Sequence, residues 1–297
     1  MTLAVNIAQG GSNNVTMRNR IINGAIGIWQ RGTSFTSGGS ATYTADRFFG
    51  NASSGTISRS TDVPAGFTYS FSNAASSTAY PGIAQRIESV NIADCASQAI
   101  TVSFYVKQTS GTASALNINL AYPTAVDNYA SSTTIVETNV VATMPSSWTR
   151  YSYTYTLPAN ATNGVSVTLF IPNASVTATF LITGVQLEAG TTASPFEYRQ
   201  YGTELALCQR YYEVVNATLG AYVDNGAVDN VRFYIAFKVT KRANPTVTSG
   251  SGGSESGGTW TPAYSGVDVN GTNCSSAIGS TITRPYINAP IIASIEL

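Results

Sequence analysis

The sequence predicts an all-β protein: a jelly-roll β-sandwich, a short helix, then a second and smaller β-sandwich domain. Three observations predict it. Apolar and polar residues alternate with period two through most of the chain, as in QAITVSFYVK and GVSVTLFI. The composition is rich in Ser, Thr and β-branched residues, with Gly, Asn and Pro separating short runs, which suits half-buried strands and tight connections. A single segment, TELALCQRYYE, has helical spacing instead. At 297 residues the chain is long enough for one large or two medium cores.

Residues 1–18 are small and polar, with GGSNN in the middle, and read as an arm that orders against a partner. The jelly roll is assigned to 19–200. Ile100, Val102, Phe104 and Val106 share one face of a strand, and Thr101, Ser103, Tyr105 and Lys107 share the other. Val165, Val167, Leu169 and Ile171 repeat the pattern, as do Tyr151, Tyr153, Tyr155 and Leu157. Ala178, Phe180 and Ile182 lead to Gly184, where a bulge is expected. A linker helix is placed within 201–213, with Thr203 as N-cap, Glu204 at the positive end of the dipole, and Leu205, Cys208 and Tyr212 on one stripe. In the second domain, 214–297, the apolar row is Val231, Phe233, Ile235, Phe237 and Val239. SGSGGSESGG reads as a flexible hairpin tip, and RPYINAPIIASIEL as a terminal strand with Ile291 to Ile295 partly buried.

Charge narrows the chemistry. Fifteen Lys and Arg balance fifteen Asp and Glu, only three of the cations are Lys, and no Arg cluster interleaves with stacking aromatics, so nucleic acid is not an expected partner. With no His, Ser/His/Asp, Cys/His and zincin chemistries are excluded by inventory. Cys95, Cys208 and Cys274 are too few and too far apart for a disulfide framework or a CxxC metal site, and read as buried thiols. No DxDxDG run marks a calcium loop, and neither a metal nor a cofactor is expected. The opening MTLAVNIAQGGSNN lacks the basic and apolar regions of a signal peptide, and no apolar run reaches a membrane-spanning length.

Two classes of site remain. Paired carboxylates could hydrolyse a glycoside, with Glu188, Glu197 and Asp46 as candidates, although alternation and the neighbouring Arg199 favour structural roles and no enzyme is expected. Aromatic side chains could stack on sugar rings: Trp29, Trp148, Tyr43, Tyr69 and the Tyr151–Tyr153–Tyr155 row in the first domain. In the second domain Trp260 and Tyr264, beside the Gly/Ser run, and Tyr222 are the ligand-binding candidates.

Three strings carry a resemblance: NRIINGAIGIWQRG at 19–32, YTADRFFG at 43–50 and VQLEAGTTASPFEYRQYGTELALCQRYYE at 185–213. They resemble the hallmark segments of phage fibre and spike proteins, from Asn19 to about Glu213. The resemblance implies a carbohydrate-binding-module-like jelly roll followed by a small β domain, in a homotrimeric virion appendage that recognises host-surface glycans. It also implies incorporation in the virion, while the cysteine usage and the absence of signal-peptide features point to assembly in a reducing cytoplasm, that of the host. Residues 1–17 would anchor the appendage to a tail adaptor or to capsid protein, the second case making it a head fibre or capsid decoration. Leu205, Cys208 and Tyr212 are then expected near the threefold axis.

Overall fold

The computed structural model describes residues 17–36, 42–51, 54–111, 113–220, 230–250, 254–256, 263–277 and 286–297. The chain forms two compact units, 1–200 with Leu297 and 201–296.

In the first unit the alternating strands build two antiparallel six-stranded sheets. One has the order β1 (Ser34–Thr36), β4 (Gly55–Ser60), β5 (Ser70–Thr78), β12 (Val176–Ala189), β7 (Ala99–Gly111), β10 (Thr149–Thr156). The other has the order β2 (Thr42–Tyr43), β3 (Phe49–Asn51), β6 (Gly82–Ile87), β11 (Val165–Phe170), β8 (Leu116–Ala125), β9 (Asn128–Val141). Such sheets pack face to face because each has one apolar side. Ile100, Val102, Phe104 and Val106 of β7 meet Leu116, Ile118 and Leu120 of β8 and Val165, Val167 and Leu169 of β11 in a single core. Each large side chain buried there contributes about 1.5–3 kcal/mol relative to exposure. The result is the jelly-roll sandwich that the alternation predicts.

The bulge falls where the glycine marks it. The β12–β7 register shifts between Thr183 and Gln186, and Gly184 has φ +62°. A Cβ at Gly184 would lie 2.7 Å from the Phe67 ring. This extra residue keeps Val185 and Leu187 pointing into the core after Ile182.

The second unit opens with α1 (Tyr201–Gln209), which starts two residues before Thr203 and ends before Tyr212. Tyr212 and Glu213 instead begin β13 (Tyr212–Gly220), so Tyr212 does not share a helical stripe with Leu205 and Cys208. The reason is tertiary. Tyr212 pairs with Ser294, Ile295 N–H donates to Tyr211 O at 2.8 Å, and the Glu213 carboxylate accepts the Lys238 amide at 3.0 Å and the Lys241 ammonium. These bonds outweigh continuation of a short helix.

β19 (Tyr286–Ser294) is the centre of one sheet of this unit, between β13 and β15 (Thr246–Ser249), with β16 (Ser254–Ser256) also paired to it. A proline in a central strand removes a ladder donor. Pro290 occupies the break between the two partners: β15 ends opposite Ile291 and β16 starts opposite Asn288. Part of the Gly/Ser run expected to be a hairpin tip is thus a short strand at Ser254–Ser256; residues 251–253 and 257–258 lie outside the described ones. The other sheet has the order β14 (Asn230–Ala236), β18 (Gly271–Ala277), β17 (Ala263–Ser265), and Ile235, Cys274 and Ile291 form a small core.

Candidate functional site

The three candidate catalytic carboxylates are structural. Glu188, expected on a solvent-facing register, is 5 % exposed and accepts the Ser194 amide at 2.9 Å, the Ser194 hydroxyl at 2.5 Å and Gln186 Nε2 at 2.8 Å. Glu197 accepts the main-chain amides of Met17 and Asn19 at 2.6 and 2.7 Å and lies 3.7 Å from Arg199. Asp46 is fully buried, accepts the Gln30 amide at 2.9 Å and its side-chain amide, and stands 3.8 Å from Arg31. Carboxylates so occupied stabilise the fold rather than poise a proton or attack a sugar. The network ties residues 17–31 to 185–199 and to the 43–50 turn, joining three stretches far apart in sequence.

Beside this network lies a groove of ≈ 720 Å³ lined by Arg18, Arg20, Glu188, Thr191, Thr192 and Ser194, among others. Its cations are engaged: Arg18 donates to Pro195 O at 2.7 Å, and Arg20 pairs with Asp94 at 2.5 Å. Among the described residues no group of three or more His, Cys, Asp or Glu is placed to hold a metal ion.

The aromatic candidates of the first unit mostly pack. Trp29 Nε1 donates to Ile26 O at 2.8 Å, and its ring stacks on Phe35 and Phe71 at 6.4 Å. Trp148 Nε1 donates to Asp62 at 2.9 Å, and Tyr69 lies under the Arg59 guanidinium at 4.2 Å. Tyr151, Tyr153 and Tyr155 pack against the core, while Tyr43 meets the Phe49 ring edge-on at 5.4 Å.

In the second unit Tyr264 is half-buried beside Ile235 and Cys274, shares a 2.8 Å hydrogen bond with Ser249, and has its phenol pushed up by burial. Trp260 and Tyr222 lie outside the described residues. Within the chain itself Cys208 is fully buried and Tyr212 is 8 % exposed, whereas Leu205 is half-buried.

The sheet β2-β3-β6-β11-β8-β9 offers a different surface, which aromatic inventory does not find. Along β8 the inward Leu116, Ile118 and Leu120 alternate with the outward, half-buried Asn117 and Asn119. Register sets Phe170 opposite Asn117 and Thr168 opposite Asn119 on one side, with Asn139 and Glu137 on the other. Asn119 Nδ2 donates to Glu137 at 3.1 Å. Asn117 Oδ1 is buried and has no hydrogen-bond partner among the described residues. The face therefore offers amide and hydroxyl groups beside the Phe170 ring: groups that can bind a polyol's hydroxyls and pack its C–H surface. The legible signal was LNINL, in which the polar row of the strand is amide rather than Ser or Thr.

Residues 98–175 match the family model described as carbohydrate binding domain. This stretch carries β7 through β11, and so Asn117, Asn119, Glu137, Thr168 and Phe170. No curated protein matches the chain. Among solved structures, the CBM22-1 xylan-binding domain of Paenibacillus barcinonensis Xyn10C aligns at 15 % identity over 54 % of this chain and 94 % of its own, with a TM-score of 0.36. A putative sugar binding protein from Bacteroides thetaiotaomicron aligns at 12 % identity over 58 % and 100 %, TM-score 0.39. The enzymatically active domain of tailspike protein 4 from bacteriophage CBA120 aligns at 16 % identity, TM-score 0.39; the match covers 59 % of this chain and 22 % of that one.

Proposed function

We propose that this chain is a non-enzymatic, homotrimeric phage tail fibre or spike protein that adheres to a host-surface polysaccharide, bound on the outer face of the β2-β3-β6-β11-β8-β9 sheet. The observation that carries the glycan reading is the outward amide row of β8, Asn117 and Asn119, inside the stretch that matches a carbohydrate binding domain. Saccharide sites use a few placed polar groups beside an apolar surface, as Asn117, Asn119 and Thr168 stand beside Phe170. The tying-up of Glu188, Glu197 and Asp46 supports adhesion without hydrolysis. Homotrimer formation and residence in the virion rest on the resemblance of the 19–32, 43–50 and 185–213 strings to phage fibres. On this reading 19–200 is the binding module, 201–213 the link, 214–297 a distal domain, and residues 1–17 the attachment to tail adaptor or capsid.

The test is affinity electrophoresis of the full chain in gels containing host-surface polysaccharide, beside Asn117→Ala/Asn119→Ala. Retardation of the wild type, weakened at least tenfold in the double variant with an unchanged melting temperature, is the expected result. Equal retardation of both proteins, or release of reducing sugar, overturns it.

A further inference from the structure

A strand at a sheet edge presents unpaired N–H and C=O groups, and proteins blunt such edges by keeping them short or by charge, proline or cover. The first unit keeps its edge strands short on one flank only. There the edges are β1 and β2, three and two residues long. On the other flank the edges are β10 and β9, eight and fourteen residues long, and among the described residues each is paired on one side alone. Neither contains proline; β10 pairs with β7 along its whole length without a bulge, whereas the β9–β8 register shifts at three places. The two strands pack against each other across the sandwich rim. From these two strands Tyr153 and Tyr155, with near-parallel rings 6.3 Å apart, and the partly buried Ile135, Val136 and Val140 pack against the core.

We propose that this flank is an interface between copies of the chain, in which β9 of one copy lies beside β10 of the next. The complement of a long open edge is another long edge, and the chain carries two. The only charges on the two strands are Glu137 on β9 and Arg150 on β10, so that pairing brings opposite signs together and no like charges. A strongly charged partner would find little on this flank to hold it. At roughly 3.4 Å per residue the eight residues of β10 set the length of each contact at about 27 Å, and at about 15 Å across it gives on the order of 400 Å² per copy, half the ~800 Å² per partner of a standard interface; each copy of a ring makes two such contacts. Contact of β9 with the next copy's β10 is head-to-tail, the kind that closes into a ring. Three flanks turned to a common axis give every β10 edge a partner. The inference rests on the homotrimer within the proposed function and assigns its surface, with β9 also the edge strand of the sheet proposed to bind glycan.

The experiment is light scattering with size exclusion on the full chain, beside Ser131→Lys/Thr133→Lys, whose positions on β9 are exposed. Hydrogen exchange on both proteins supplies the second readout. The expected wild type has three times the 31.1 kDa chain mass at micromolar concentration. Its β9 and β10 amides are protected on both edges. The variant dissociates at least tenfold more readily, keeps its secondary structure, and exchanges its outer-edge amides fast. A trimer unaffected by the substitutions, with fast exchange along β9 and β10, overturns the flank and leaves the homotrimer standing. A monomeric wild type overturns both.

Discussion

Glu197 Oε2 accepts the main-chain amide of Asn19 at 2.7 Å, a bond between residues 178 positions apart. The other oxygen of the same carboxylate takes the Met17 amide at 2.6 Å. Asn19 in turn accepts the amides of Ile21 and Leu187, both at 3.0 Å, and donates to Val185 O at 3.2 Å. Arg199 closes the loop by donating to Ile21 O at 3.1 Å and to Asn19 O. One carboxylate, one amide and one guanidinium thus lace the start of the sandwich to its end.

Glu197→Ala removes two charge-assisted bonds and leaves the 6 %-exposed Arg199 side chain without its carboxylate. The expected loss is about 3 kcal/mol. Urea unfolding monitored by Trp29 and Trp148 fluorescence measures it. Glu137→Ala, a carboxylate on an exposed residue, is the comparison and should cost under about 1 kcal/mol.

Gly184→Ala places a methyl group at φ +62° against the Phe67 ring. Strain and crowding together should cost about 2 kcal/mol. A lower melting temperature for Gly184→Ala, partly restored by Phe67→Leu, is the expected outcome; an unchanged one would mean the bulge accepts a side chain.

In the second unit Lys241 and Glu213 are both fully buried, and Lys241 Nζ also donates to Gln209 O at 2.7 Å and Val239 O at 3.1 Å. Burial pulls the ammonium below its ordinary range, against the opposing pull of Glu213. Lys241→Met alone strands the carboxylate and should cost about 3–5 kcal/mol, whereas Lys241→Met/Glu213→Leu should recover most of it. Chemical denaturation of the four proteins of this cycle gives the coupling directly.

Asp62 binds Lys107 at 2.7 Å and Trp148 at 2.9 Å, and the Lys107 hydrogen bond above all holds its carboxyl below its ordinary range, against partial burial. A carboxylate with a lowered folded-state pKa adds stability above its unfolded value of 3.8 and loses it as pH falls through the lower folded value. Between pH 7 and about pH 2.5 the wild-type urea midpoint should therefore fall further than that of Asp62→Asn. Parallel falls would mean that this pair contributes nothing.

The strands were legible because period-two alternation is a local property: Ile100, Val102, Phe104 and Val106 announce a buried face from ten consecutive residues, and Gly184 announces the bulge. Absent His and balanced charge are likewise complete in the sequence, and they removed whole classes of chemistry before any fold was known. Two other features lay beyond local pattern. Glu188 reads as solvent-facing because alternation says which face of β12 it occupies, but the roof over that face comes from Met17–Asn19 and Ser194–Glu197, and only folding brings them there. Tyr212 continues a helical stripe until cross-strand bonds to β19 and the Lys241–Glu213 pair claim that stretch for a sheet. Periodicity determines which side of an element is apolar. What covers the polar side, which buried amide is left unpaired, and which edges remain open are decided by contacts between stretches far apart in sequence, where each hydrogen bond depends on a partner that no local window contains.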